Sequence, residues 1–96
     1  MATSKIYFNP RAYGLGILTK DGQVVADMNN VLYTGFYATD GNTLNMPTGL
    51  VSPVCAFIQV ARGESYRFQL LVDYLSGKLY KRTSGTGGAW GNWVEV

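Results

Sequence analysis

Four side chains late in the sequence, Tyr80, Arg82, Trp90 and Trp93, are the ones best equipped to hold a ligand. Flat aromatic rings pack against the apolar faces of sugars, and the indole N–H can donate a hydrogen bond. The planar fork of Arg82 matches a carboxylate or a phosphate. A structural role competes with this one, in which both tryptophans fill a small core or a subunit interface. In a strand, residues three apart point to opposite faces. The spacing therefore predicts one buried and one interfacial ring rather than one platform, and Gly91 between them marks a bend.

Covalent and metal chemistry find little to work with. The chain has no histidine and one cysteine, Cys55. A nitrogen–sulfur metal site is thereby excluded, as are a Ser-His-Asp triad and a Cys-His dyad, which lack their base. Glycoside hydrolysis needs only two carboxylates, and Asp40, Glu64 and Asp73 are the candidates. Two of these fall in turns, where acidic residues are common, and a polysaccharide-cleaving enzyme ordinarily uses a longer scaffold. The expectation is a non-enzymatic binding or structural module with no catalytic residue, no metal and no cofactor.

Composition narrows the class further. A chain of 96 residues makes one domain. At that size only about 60–65% of the unfolded surface is buried, so association with other copies is a reasonable expectation. Net charge is +2, all of it carried by residues 49–96. Lys78-Leu79-Tyr80-Lys81-Arg82 superficially suits single-stranded nucleic acid, but Lys81 and Arg82 fall on opposite faces of a strand. No nucleic-acid partner is expected, and a solvated edge strand explains the charges. Cys55 lies in the apolar run Val54-Cys55-Ala56-Phe57-Ile58 and reads as a small buried hydrophobe of a protein made in a reducing compartment. Met1 to Lys5 leads into no long apolar core, and no stretch approaches the roughly 20 residues of a membrane helix, so neither a secretory signal nor membrane insertion is expected.

The elements that would position these residues are strands. Twelve glycines and scarce helix periodicity predict an all-β fold, a small antiparallel sheet of short hairpins. Tyr66, Phe68, Leu70 and Val72 recur at period two and so share one face of a strand. Ser76-Gly77 then turns the chain into Lys78 to Thr83, a second strand on which Tyr80 and Arg82 share a face. Val54 to Ala61, apolar on both faces, predicts a central strand. Gly35 to Thr39 predicts another, with Leu32 and Tyr33 tucked under the sheet, and residues 43–52 are irregular. Trp93, Val94 and Val96 suggest a terminal strand. At the other end, Ile6-Tyr7-Phe8 reads as a short strand. Tyr13 to Thr19 and Gln23 to Ala26 read as a hairpin about Lys20-Asp21-Gly22. Residues 1–26 form either an edge hairpin of the same domain or an arm that docks on a neighbouring subunit.

In order, these pieces are Asp27-x-Asn29, Thr34-Gly35-Phe36-Tyr37, a Leu44-Asn45-Met46-Pro47 loop and a strand ending near Asp73. Gly77-Lys78-Leu79-Tyr80-Lys81-Arg82-Thr83, a glycine-rich loop and Trp90-x-x-Trp93 complete the series. Together they resemble the pyocin knob domain of phage tail fibre proteins and of related phage-tail-like bacteriocins. The resemblance spans residues 27–93. Phe68-Gln69-Leu70-Leu71-Val72 departs from the amide-rich stretch often found there, and residues 1–26 have no counterpart. The resemblance implies an all-β knob over residues 27–96, presented as a homotrimer in a virion fibre. It implies a role in fibre architecture and host attachment, with other virion proteins and a bacterial surface polysaccharide as partners. An alternative is a small capsid or tail decoration fibre protein, made in the host cytoplasm like any virion component, that docks through residues 1–26.

Overall fold

The computed structural model describes residues 22–96, and within them the chain is mostly β. Six strands form one sheet in sequence order: β1 (Gln23–Val24), β2 (Gly35–Ala38), β3 (Cys55–Arg62), β4 (Tyr66–Asp73), β5 (Leu79–Thr83) and β6 (Val94–Glu95). Five of the six are joined antiparallel, but β1 runs parallel to β2, so the sheet is mixed rather than purely antiparallel. The cause is the connection. Residues 25–34 cross over the sheet through a 3₁₀ turn at Met28–Asn30, and a crossover of that length returns the chain in the same direction. Gln23 and Val24 thus pair with Tyr37 and Ala38. The expected strands at Ile6–Phe8 and Tyr13–Thr19 lie outside the described residues.

The hairpin of β4 and β5 forms where the Ser-Gly signal predicts. Gly77 adopts φ 72°, a left-handed geometry that glycine enters without a Cβ penalty. Asp73 closes the turn twice. Its backbone exchanges hydrogen bonds with Lys78 and Gly77 at 3.0 and 2.8 Å. Its carboxylate accepts from the N–H groups of Leu75 and Ser76 at 3.0 and 3.4 Å, a local bond that favours turn over strand. At the other edge, a Cβ on Gly22 would lie 2.7 Å from the Tyr37 carbonyl carbon, so only glycine allows β1 to approach β2 there.

One face of the sheet is covered. Over it lie the crossover and the irregular loop at residues 43–52, tied together by bonds from Met28 N–H to the Leu44 carbonyl (3.1 Å) and Leu44 N–H to the Ala26 carbonyl (2.9 Å). Val25, Met28 and Val31 from the crossover meet Tyr37, Cys55, Phe57, Leu71 and Tyr80 from the strands. The Tyr37 and Phe57 rings stack at 5.3 Å. Burying a side chain such as Met28 completely is worth about 2 kcal/mol.

Period two holds along β4, and it has a consequence for polarity. The covered positions are Arg67, Gln69, Leu71 and Asp73, whereas Tyr66, Phe68, Leu70 and Val72 occupy the other face. Leu32 and Tyr33 are exposed rather than tucked under the sheet. The segment lies with the carbonyls of Val31 and Tyr33 toward the strands, where Gln59 and Tyr37 donate to them, and this turns both side chains outward.

Candidate functional site

The covered face carries a row of polar side chains set by strand register. Gln59 of β3 pairs with Gln69 of β4, which pairs with Arg82 of β5. Their side chains bond in the same order. Gln69 Nε2 donates to Gln59 Oε1 at 2.8 Å, and Arg82 Nε donates to Gln69 Oε1 at 2.8 Å. The remaining donors hold the crossover: Gln69 Nε2 to the Met28 carbonyl, and Gln59 Nε2 to the Val31 carbonyl, both at 2.8 Å. Arg67, one step further along β4, donates from Nη1 to the carbonyls of Asn29 (3.0 Å) and Val31 (2.8 Å). A buried amide is tolerated only when its donors and acceptors are met, and here the crossover's backbone supplies the partners.

Above this row the guanidinium groups and indoles stack. Two arginines approach the Trp90 ring, Arg67 at 4.7 Å and Arg82 at 4.1 Å from its centre. Arg82 is in turn 4.6 Å from the ring of Trp93. The spacing argument had separated the two tryptophans, and the structure brings both to one arginine. Regular strand stops between them. Trp90 makes an isolated bridge to Ser84, and β6 begins only at Val94, so alternation does not apply across residues 91–93. Trp93 Nε1 donates to the Asn45 carbonyl at 3.0 Å, and Trp90 Nε1 to the Asn29 carbonyl at 3.4 Å.

Electrostatically the cluster is unusual. Arg67 and Arg82 are 7% and 6% exposed, and neither has a carboxylate within salt-bridge distance among the described residues. Burial pushes the Arg82 guanidinium down to about 10; Asp27 opposes the shift and Arg67 adds to it. Arg82 remains a cation at neutral pH. Arg82 Nη2 and Arg67 Nε, both buried, have no hydrogen-bond partner among the described residues. The indole faces stand in for those acceptors, since a cation over a desolvated ring gains about 2 kcal/mol.

These positions change what the candidate residues can do. Tyr80 is 7% exposed and belongs to the core, directly opposite Leu71. Arg82 offers no free fork to a ligand while it serves Gln69 and the two rings. Trp90 and Trp93 are half-buried and keep one flank toward solvent. Of the three carboxylates, Asp73 is fully buried and is held by the Val51 N–H at 2.7 Å as well as by its own turn. Those N–H groups, Val51 first, draw its pKa down against the effect of burial. Asp40 accepts from the Asn42 N–H at 2.9 Å, and Glu64 sits exposed in the β3–β4 turn.

Gln59, Gln69 and Arg67 are the residues that sequence reasoning passed over. Polar side chains alternating with apolar ones in a strand read as solvent-facing. The usable signal was that Arg67, Gln69 and Asp73 share one face of the strand while Tyr66, Phe68, Leu70 and Val72 share the other.

No family model, curated protein or solved structure matches the chain. The geometry of the cluster therefore carries the functional reading.

Proposed function

We propose that this chain is a non-enzymatic phage virion module. In this reading it is a homotrimeric tail-fibre knob of pyocin-knob type, contributing to fibre architecture and to attachment at the bacterial surface. One observation carries the reading. Five of the residues on which the resemblance rests, Asn29, Asn45, Arg82, Trp90 and Trp93, lie far apart in the chain yet meet in one cluster. Arg82 meets Trp90 and Trp93, and Trp93 bonds the Asn45 loop. A motif whose members meet in space acts as a unit, and here that unit pins the loops to the sheet. Attachment would then rest on the exposed flanks of Trp90 and Trp93 and on many weak contacts multiplied by copy number.

The test is immunogold labelling of particles that carry the protein, together with its mass in solution. Gold along or at the ends of fibres and a mass of three chains support the knob. Gold on the capsid would instead favour the decoration protein, and unlabelled particles would sink both.

A further inference from the structure

A cleft of about 490 Å³ lies between the 3₁₀ turn of the crossover and the glycine loop after β5, lined by Asn29, Asn30, Glu64, Arg67 and Gly88. Arg67 is buried, and its donors are unequally used. Nη1 serves two carbonyls, those of Asn29 at 3.0 Å and Val31 at 2.8 Å. Nη2 has only the Gly88 carbonyl at 3.5 Å, and Nε has no partner among the described residues. The underused edge, Nε with Nη2, is one that grips a carboxylate through two parallel bonds. Asn29, on the same cleft, has a buried Oδ1 that also lacks a partner among the described residues.

Charge around the cleft is unbalanced. Arg67 and Arg82 are both buried, and among the described residues neither has a carboxylate within salt-bridge distance. The Trp90 ring attracts both cations but brings no counter-charge. Buried charges are costly unless paired. Residues 1–21 contain one carboxylate, Asp21, which is bonded to Gly22 at the β1 edge. Three strand spacings, about 14 Å, separate β1 from the strand that carries Arg67. Glu64 is exposed at the rim of the cleft.

We propose that this cleft binds an acidic sugar, whose carboxylate bridges Arg67 Nε and Nη2 while a hydroxyl donates to Asn29 Oδ1. Nε is covered, so the sugar engages it by displacing the Gly88 carbonyl, the longest of Arg67's three contacts. Glycine keeps that approach clear: Gly88 adopts φ 75°, and a Cβ there would stand 3.9 Å from Arg67 Nη2. Glu64 accepts from further hydroxyls and repels a doubly charged phosphate, which selects a singly charged, hydroxyl-bearing ligand. The volume falls in the range of small-molecule sites, about 300–1,000 Å³, and is too large for a bare ion alone. The inference rests on the attachment reading above and names the class of ligand.

The test is an NMR titration of the full chain with glucuronate, galacturonate, glucose and inorganic phosphate. At least one uronate should saturably shift the amides of Asn30, Ser65 and Gly88, with glucose and phosphate about tenfold weaker or worse. Arg67→Lys keeps the charge but loses the fork, and should weaken the uronate about tenfold. Glu64→Gln, an exposed change, should narrow the gap between phosphate and uronate. If Arg67→Lys does not fold, Glu64→Gln decides, and an unchanged gap refutes the inference. Silence toward both uronates, or shifts confined to other residues, overturns the site. Phosphate bound as tightly as a uronate by the parent overturns the sugar. Fibre labelling without uronate binding overturns this inference alone. Uronate binding by a protein that labels no particle overturns the fibre reading and leaves the cleft standing.

Discussion

The guanidinium of Arg82 lies 4.1 Å from the centre of the Trp90 ring while its Nε bonds Gln69 at 2.8 Å. One side chain thus joins the buried amide row to the indole stack, and through them the sheet to the loops that cover it. The tryptophans are the lid of a buried cationic layer rather than a free platform.

Trp90→Ala should therefore lose stability before it loses any ligand. Arg67 would be left without its ring and Arg82 with Trp93 alone, and the Asn29 carbonyl would lose a donor. The expected loss is about 3 kcal/mol, measured by urea unfolding at neutral pH. Trp90→Phe, which keeps a ring but not the N–H, should recover more than half of it. Equal stability of Trp90→Ala and the parent would remove the stack from any structural role.

Gln69→Leu is close to isosteric, yet it should be among the most damaging changes in the sheet. It deprives Gln59 Oε1, Arg82 Nε and the Met28 carbonyl of partners at once. Buried groups left unpaired cost about 1–3 kcal/mol each, so a loss of about 3 kcal/mol is expected after partial relaxation. The double variant Gln59→Leu with Gln69→Leu should be less than additive, because the two share one bond.

Acid should weaken the fold through Asp73. Its folded pKa is lowered by the N–H groups of Val51, Leu75 and Ser76, so the unfolded chain binds its proton more readily. The stabilisation is fully present above the unfolded carboxylate value of about 4 and is lost as pH falls below it. Urea midpoints should thus be flat from pH 7 to 5 and drop below about pH 4. In Asp73→Asn the midpoint should be lower at neutral pH and the acid drop smaller.

Cys55 is 1% exposed, its thiol faces the Ser52 carbonyl at 3.1 Å, and burial raises its pKa. Alkylation at pH 8 should proceed only through unfolding, so its rate should track the unfolding rate and rise with urea. Rapid labelling in native buffer would show that the β3 end opens independently of the sheet.

Much of the architecture could be read directly from residue order. Period two from Tyr66 to Asp73, the Ser76-Gly77 turn and the two-sided apolar run after Pro53 specify β3, β4 and the β4–β5 hairpin. These signals are local, arising from backbone preference and the alternation of side chains along one strand. Alternation cannot say which of the two faces is covered. That was decided by the crossover at residues 25–34, whose unpaired carbonyls require donors, so the face bearing Arg67, Gln69 and Gln59 turns inward. The pairing of Trp90 and Trp93 on Arg82 was equally tertiary, since it depends on where the strand stops after Ser84. The residue types that could do chemistry are written in the sequence; which of them stay free to do it follows from what the fold must satisfy first.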